Sequence, residues 1–355
     1  MTGPAMRALR ASGARPRITL LTSRPGAAVA AFMPELDEVL VYGAPWMKAT
    51  PAGRPAAPDR AMIDTLRSRR FDAAAIFTVY SQSPLPAALL CHLSDIPLRL
   101  AHCRENAYQL LTDAVPEREP DELVRHEVRR QLDLVAAVGA HVADERLALR
   151  VPEAARKRAR GCLAAAGIDH AEPWAVVHPG ATASSRRYPA RLWAEACRLL
   201  VAEQRWRVAL TGTASERSVV EQVRAAAGVP LASLAGRLDL GTFAAVLEAA
   251  PVLLAGNTGP VHVAAAVGTP VVDLYALTNP QHTPWGVPNR VVSHDVPCRW
   301  CYKSVCPEGH HRCLVEVDPR EVVDAAVGLA GDRLRQEGGG RRSPGAPSRA
   351  SERAP

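Results

Sequence analysis

The sequence predicts an α/β protein in which two doubly wound halves, residues 1–150 and 151–334, face each other across a cleft. Short apolar segments alternate with helical patterns along the chain, and the alternation restarts after the stretch at 141–151, which is followed by Pro152. The length agrees, because 355 residues of which 48% are hydrophobic can bury two ordinary cores. A disordered or collagen-like chain is thereby excluded.

The N-terminal half is predicted to begin with a helix, which is unusual because an α/β domain normally begins with a strand. Thr2 is available as its cap and Pro4 lies in its first turn. The predicted helices of this half cover 2–11, 27–32, 58–69, 86–92 and 121–137. The predicted strands cover 17–22, 38–42, 73–79 and 98–100.

The C-terminal half shows the clearer alternation. Its predicted strands cover 174–178, 207–211, a short stretch near 231, 252–255 and 270–274. Its predicted helices cover 153–166, 190–203, 215–227, 240–249, 261–267 and 319–334. Residues 335–355 are polar and rich in Gly, Pro, Ser and Arg, a composition that predicts a disordered tail.

The formal charge of +7 is carried almost entirely by arginine, since only 3 of the 43 basic residues are lysines. The basic stretches are scattered, at 7–24, 67–70 and 150–160, so they suit an acidic substrate or an anionic membrane surface better than nucleic acid. The sequence has no signal-peptide pattern and no apolar run of about 20 residues. We therefore expect a cytoplasmic protein with reduced cysteines.

The strongest candidate for chemistry is the segment AGNTGPVHVAAAVGTPVVDLYAL at 255–277. Gly256 and Gly259 allow a tight turn after an apolar strand, Thr258 offers a capping hydroxyl, and Pro260 suits the start of a helix. Free N–H groups at such a helix start bind phosphate. The alternative is an ordinary capped turn, because no dinucleotide or Walker fingerprint is present.

Two further loops share this strand-to-helix position. HPGATASSRRYP at 178–189 carries hydroxyls, including that of Thr182, and places Arg186 and Arg187 where they could neutralise a diphosphate. Solvated arginines at a helix start are the alternative. In TGTASER, Glu216 could accept hydrogen bonds from a ribose or simply cap its helix.

Together with GNTGPVHVAAAVGTPVVDLYALTNPQHTPWG and PCRWCYKSVCPEGHHRCLVEVDP, these loops resemble the second half of the family 9 glycosyltransferases, the lipopolysaccharide heptosyltransferases. The resemblance runs from 174 to 327 with the motifs in order, and continues more weakly through MTGPAMRALRASGARPRITLLTS. It implies a GT-B fold, in which two Rossmann-like domains enclose a cleft and the C-terminal domain holds the nucleotide sugar.

The resemblance also implies the reaction and its partners. Heptose would pass from ADP-heptose, with inversion and without metal or other cofactor, to the inner core of lipopolysaccharide. The implied partners are a nucleotide sugar and a lipid-linked glycan acceptor, with peripheral contact at the inner face of the cytoplasmic membrane as an open expectation. No nucleic-acid partner is expected.

Matched to the family pattern, Arg186 stands where a phosphate-binding lysine is usual, Glu216 stands at the ribose contact, and Asn257 stands where an aspartate is common. An asparagine can donate as well as accept, so the donor would be held differently. The implied substrate-binding residues are Thr182, Arg186, Glu216, Asn257, Thr258, Gly259 and His262.

The resemblance further implies a general base, an aspartate in a Gly-Asp loop that follows the first strand of the N-terminal domain. This sequence begins with Met1 just before the matching helix TGPAMRAL, so that strand and aspartate are expected to be missing and no catalytic residue is assigned. Either the true start lies upstream, or the chain is a catalytically inactive nucleotide-sugar-binding homologue. A Rossmann oxidoreductase is a more remote alternative, disfavoured by the absent dinucleotide fingerprint.

Four cysteines form a separate cluster near the end of the C-terminal half. They have the spacing C-x2-C-x4-C-x6-C, with His310 and His311 between the last two, and comprise Cys298, Cys301, Cys306 and Cys313. Such thiols can supply tetrahedral zinc ligands. The favoured interpretation is a loop of reduced or partly disulfide-linked thiols beside the acceptor side of the cleft, without metal.

Overall fold

The computed structural model describes residues 1–13, 15–47, 50–51, 53–169 and 172–339. Elements are numbered in chain order. The strands of the N-terminal half are β1 (Thr19–Thr22), β2 (Glu38–Val41), β3 (Ala73–Ile76), β4 (Leu98–Cys103) and β5 (Asp113–Pro116). Its helices are α1 (Gly3–Ala11), α2 (Arg24–Ala30), α3 (Ala57–Arg69), α4 (Leu85–Leu93) and α5 (Glu127–Ala136).

The C-terminal half restarts with a helix. Its helices are α6 (Glu153–Ala165), α7 (Ala190–Ala202), α8 (Arg217–Ala227), α9 (Leu240–Ala249), α10 (Gly259–Ala266), α11 (Arg312–Val315) and α12 (Pro319–Gly339). Its strands are β6 (Trp174–His178), β7 (Arg207–Leu210), β8 (Ala232–Ser233), β9 (Leu253–Gly256), β10 (Val271–Leu274) and β11 (Asn289–Val292).

The C-terminal sheet is parallel throughout, in the order β11-β10-β9-β6-β7-β8. Its central strands are buried on both faces because one apolar cluster packs α7, α8 and α12 on one side and another packs α6, α9 and α10 on the other. The predicted doubly wound layer is therefore confirmed for this half. The strand order reverses between β6 and β9, and ligands of such sheets bind beyond the carboxyl ends at that point.

The N-terminal half contains two smaller parallel sheets, β1-β2 and β3-β4-β5. Within the described residues, no strand pairing joins β1 to β3. A small apolar cluster that includes Tyr42, Leu66 and Leu90 connects the β1-β2 sheet to α3 and α4. The layer predicted for this half is thus present as two hydrogen-bonded pieces held together by side-chain packing.

Several boundaries differ from the prediction. The polar helix predicted from 121 starts at Glu127, because the buried Glu119 carboxylate accepts a hydrogen bond from the main-chain N–H of Arg125 and holds the preceding residues in a loop. The edge strands β5 and β11 were not predicted, since short, largely exposed segments carry little apolar periodicity. The last helix continues to Gly339, and the remainder of the predicted tail, 340–355, lies outside the described residues.

The two halves make direct contact along α5. The α1 and α5 helices share an apolar cluster with Ala265 of α10. His126, at the start of α5, stacks on Trp285 with ring centroids 4.5 Å apart, and its Nε2 lies 2.9 Å from the main-chain oxygen of Thr283. The Trp285 indole N–H donates to the main-chain oxygen of Glu145 at 2.8 Å. These contacts join the N-terminal half to the segment that follows β10.

Candidate active site at the carboxyl edge of the C-terminal sheet

The turn that follows β9 is the centre of the candidate site. Gly256 pairs with Leu274 of β10, and a Cβ atom on Gly256 would lie 3.0 Å from the main-chain oxygen of Arg186. Glycine is therefore required where the 178–189 loop crosses this turn. The predicted helix start is confirmed, since α10 begins at Gly259 with Pro260 in its first turn.

The expected capping role of Thr258 is wrong. Its hydroxyl donates to the main-chain oxygen of Gly256 at 3.1 Å, and no side chain caps the N-terminus of α10. This hydrogen bond accounts for the rotamer of the Thr258 side chain. Pro260 has no N–H, and the N–H of Val261 donates to the main-chain oxygen of Thr258 at 3.2 Å. The start of α10 therefore offers an anion the N–H of Gly259 and the positive end of the helix dipole.

Arg186 is brought to this turn, as predicted. It ends a short 3-10 turn at Ser184–Arg186, and its Nη1 donates to the main-chain oxygen of Asn257 at 3.3 Å. Its Nε is buried without a protein partner. Arg187 does not join it, because its Nε donates back to the main-chain oxygen of Ala181 at 2.8 Å. Thr182 is exposed on the same loop, where its main-chain oxygen accepts from Arg187 Nη2 at 3.4 Å.

Behind the turn lies a buried acidic side chain that sequence reasoning missed as a site residue. Asp273 in β10 is 0% exposed, and neither carboxyl oxygen has a hydrogen-bond partner. Burial raises the pKa of Asp273 well above its usual range, and the charge of Arg186 offsets only part of that effect. Burial therefore favours the neutral form of the Asp273 carboxyl group. In the sequence it was visible only as an interruption of an apolar strand.

Asn257 and His262 also lie in the buried floor of the site. Asn257 is hydrogen-bonded to Tyr275 through its side chain, while its Oδ1 is buried without a partner. His262 Nδ1 is likewise buried and unpartnered. Burial lowers the pKa of His262 to about 3, so its imidazole is neutral near pH 7. Both residues therefore offer neutral hydrogen-bonding groups beside the anion-binding turn.

Glu216 caps its helix and also contacts the end of β6. Its Oε2 accepts hydrogen bonds from the Thr213 main-chain N–H and hydroxyl, each at 2.8 Å, and lies 3.5 Å from His178 Nε2. The other imidazole nitrogen of His178 lies 3.1 Å from the Thr211 hydroxyl. The capping alternative is thus confirmed, and the ribose contact stays a prediction for the remaining oxygen, Oε1.

The carboxylate of Glu216 should make the stability of the fold depend on acidic pH. Hydrogen bonding with His178 lowers the pKa of Glu216 to about 2, from 4.5 for a free carboxyl. The stabilisation is fully present above pH 4.5 and is lost as pH falls toward 2. We expect E216Q to lower the midpoint of urea unfolding at pH 7 and to differ less from the parent at pH 3.

The control for this comparison is E221Q on the same helix, whose partner is the exposed Arg224 at 2.7 Å. An exposed pair of this kind contributes little, so E221Q should leave the midpoint nearly unchanged at both pH values. An E216Q effect of equal size at pH 7 and pH 3 would contradict the proposed ionic contribution.

The cysteine loop packs against the candidate site. The Ser185 hydroxyl donates to the main-chain oxygen of Lys303 at 2.9 Å, and Tyr302 packs edge-on against Tyr80 of the N-terminal half with ring centroids 5.7 Å apart. All four thiols are free, and the Cys298 sulfur lies 3.7 Å from His310 Nε2. Among the described residues, no three His, Cys, Asp or Glu side chains are arranged to hold a metal ion. The loop contacts both halves of the protein through these residues, and its metal content stays a prediction.

The basic stretches are largely engaged in ion pairs within the protein. Arg7 pairs with the buried Glu35 at 2.5 Å, and Arg10 pairs with Asp37 at 2.5 Å. In the other stretches Arg67 contacts Asp95 and Arg156 contacts Glu248, at 2.8 Å and 2.6 Å. These arginines therefore contribute less free positive charge for an anionic surface than the sequence suggests. No helix in the described ranges is long and apolar enough to cross a bilayer.

A sequence model described as glycosyltransferase family 9 (heptosyltransferase) matches residues 60–312. The chain belongs to glycosyltransferase family 9. The matched segment contains the Arg186 loop, the Glu216 loop and the turn before α10. The predicted family is thereby confirmed.

Two curated relatives of this family 9 chain are lipopolysaccharide heptosyltransferases. The chain is 34% identical over 143 residues to heptosyltransferase 1 of Pseudomonas aeruginosa, covering 40% of this chain and 39% of that protein. It is 25% identical over 279 residues to heptosyltransferase 2 of Escherichia coli, covering 75% of this chain and 77% of that protein.

The solved structure of the E. coli ADP-heptose lipopolysaccharide heptosyltransferase II superposes with a TM-score of 0.72 at 22% identity. The superposition covers 94% of this chain and 95% of that one. The GT-B architecture predicted for the family 9 chain is therefore confirmed over nearly its whole length.

Proposed function

We propose that this family 9 chain transfers a heptose from ADP-heptose to the core of a lipopolysaccharide-like acceptor, with inversion at the anomeric carbon. The observation that carries the proposal is the meeting of Arg186 with the uncapped N-terminus of α10 at the point where the strand order reverses. A guanidinium group and a helix N-terminus together suit a nucleoside diphosphate.

The proposed roles follow from these contacts. Arg186, the N–H of Gly259 and the positive end of the α10 dipole bind the diphosphate and stabilise the negative charge that grows on it as the bond to the sugar breaks. The Oε1 of Glu216 accepts a hydrogen bond from a ribose hydroxyl, while Oε2 remains held by Thr213. Thr182 lies on the exposed rim of the same loop.

Inversion corresponds to a single displacement. The acceptor oxygen forms a bond to the anomeric carbon while the bond to the diphosphate oxygen breaks, and the acceptor proton passes to a general base. The acceptor is a lipid-linked glycan, so the proposed place of action is the inner face of the cytoplasmic membrane, reached by peripheral contact.

Nucleotide binding and turnover test the proposal separately. We expect ADP and ADP-heptose to raise the melting temperature by several degrees at saturating concentration, since ligands that bind only the folded state stabilise it. UDP, GDP and NAD should have smaller effects. Release of ADP should then depend on a heptose-acceptor glycolipid.

Each outcome separates one alternative from the others. Stabilisation by ADP without any acceptor-dependent release of ADP identifies a nucleotide-sugar-binding homologue that does not catalyse transfer. Stabilisation by NAD in preference to ADP points to an oxidoreductase. No stabilisation by either ADP or ADP-heptose overturns the proposed donor.

A further inference from the structure

A second group of polar side chains lies next to the diphosphate turn, on the segment 278–282. This segment follows β10, and β10 pairs in parallel with β9, with Leu274 opposite Gly256. The two strands therefore end side by side at the same edge of the sheet. Gln281 is 1% exposed and Thr278 is 3% exposed, so both side chains are buried on the segment that follows this edge.

The main chain of the 278–282 segment is held firmly from several directions. The N–H of Gln281 donates to the Asn279 side chain at 2.7 Å, and its oxygen accepts from the N–H of Glu127 in the N-terminal half at 2.9 Å. The oxygen of Thr278 accepts from the N–H of Tyr302 at 2.7 Å. The position of each side chain on this segment is consequently well defined.

The main chain of the 278–282 segment is hydrogen-bonded, whereas several of its polar side-chain atoms are not. Both polar atoms of the Gln281 amide, the Thr278 hydroxyl and His282 Nε2 are buried without a partner in the protein. Leaving such a group buried and unpaired destabilises the protein unless another molecule supplies the hydrogen bond. A fixed segment that leaves this many groups unpaired has the character of a binding site.

The chemistry of these groups indicates what kind of molecule they suit. An amide and a hydroxyl both donate and accept hydrogen bonds while carrying no charge. Burial, reinforced by the charge of Arg186, lowers the pKa of His282 to about 4, so this side chain is also neutral near pH 7. Neutral groups of both kinds match hydroxyls, whereas a phosphate is better matched by the adjacent Arg186.

We propose that Gln281, together with Thr278 and His282, binds adjacent hydroxyl groups of the sugar ring that the nucleotide donor carries. The inference rests on the proposed function and deepens it by assigning sugar recognition to side chains outside the diphosphate turn. The donor sugar is favoured over the acceptor sugar because it is joined to the diphosphate, and the 278–282 segment follows the strand that pairs with β9, next to the turn that Arg186 contacts.

The test replaces Gln281 by leucine, which has a similar volume and no hydrogen-bonding groups. We expect Q281L to keep or raise the melting temperature, because an unpaired buried amide is removed. The Kd for ADP, measured by calorimetry without acceptor, should stay within twofold. The Kd for ADP-heptose should rise by about tenfold or more, the effect of losing one or two hydrogen bonds.

A matched control is Q131L, since Gln131 is equally buried but its Nε2 donates to the main-chain oxygen of Thr78 at 2.9 Å. Q131L should lower the melting temperature. If Q281L lowers it to the same degree, or weakens ADP and ADP-heptose equally, Gln281 is structural and the inference is overturned.

Two further outcomes decide the source of the sugar and the dependence on the proposed function. If Q281L leaves the Kd for ADP-heptose unchanged but raises the KM for the acceptor tenfold, these side chains bind the acceptor sugar and the assignment to the donor sugar is overturned. If the parent protein binds neither ADP nor ADP-heptose, both the proposed function and this inference are overturned. If the parent binds both and Q281L matches it in every measurement, only this inference fails.

Discussion

We expect R186M to lower kcat/KM for the proposed donor, ADP-heptose, by about 100- to 1,000-fold, the effect of removing one preorganised hydrogen-bond donor to a developing anion. Methionine keeps most of the aliphatic volume and removes the guanidinium group. That group is the one positioned by the carbonyl of Asn257 at the start of α10. Steady-state kinetics with a fixed acceptor concentration measures the effect, and calorimetry with ADP reports the accompanying loss of affinity.

The adjacent arginine provides a matched control. Arg187 is exposed and bonds to the loop's own main chain at Ala181, so R187M should change kcat/KM by less than about fivefold. R186K should restore part of the activity, because a lysine supplies the charge without the forked geometry. Equal losses in R186M and R187M would mean that general basicity of the loop, and not this particular contact, binds the donor.

The second large effect is expected at Gly180, where the 178–189 loop meets Glu216. A Cβ atom on Gly180 would lie 2.3 Å from the carboxyl carbon of Glu216, so the carboxylate has to leave its contacts with Thr213 and His178. We expect G180A to lower the free energy of unfolding by about 1–2 kcal/mol, the cost of the hydrogen bonds that the flexible Glu216 side chain gives up when it moves aside. The Kd for ADP should rise in parallel, because Glu216 leaves the position proposed for its ribose contact.

A glycine in open space gives the comparison. Gly161 lies inside α6, and no neighbouring atom lies within 4 Å of the position that a Cβ atom would take there. G161A should therefore be neutral or stabilise the protein by up to about 1 kcal/mol. Urea unfolding of both variants measures the difference. A G180A protein as stable as the parent would show that Glu216 moves without cost and is not fixed by its hydrogen bonds.

The C-terminal half could be predicted closely because its signals are local. The strand Trp174–His178 and the helix Leu240–Ala249 have the predicted bounds, since a fully buried apolar run and a capped apolar helix are both visible in sequence. The meeting of Arg186 with the turn at Asn257 was also predictable, because parallel strands bring their following loops to one edge.

The features that were missed depend on contacts between distant residues. The loop before α5 is held by Glu119, which accepts a hydrogen bond from the N–H of Arg125. Arginines of the basic stretches form ion pairs with residues far away in the sequence, as Arg156 does with Glu248. Gln281 and Asp273 look ordinary in sequence, since nothing local shows that a polar side chain is buried without a partner. Only the three-dimensional arrangement reveals it.

The segment that carries Gln281 belongs to the C-terminal half by sequence and to both halves by hydrogen bonding. Glu127 and His126 of α5 contact the main chain at Gln281 and Thr283, and Trp285 donates to Glu145. Any rotation of one half against the other must break these bonds or carry the segment along. Under thermodynamic reciprocity, a ligand of the N-terminal half that shifts this segment and so changes nucleotide affinity has its own affinity changed by the bound nucleotide by the same factor.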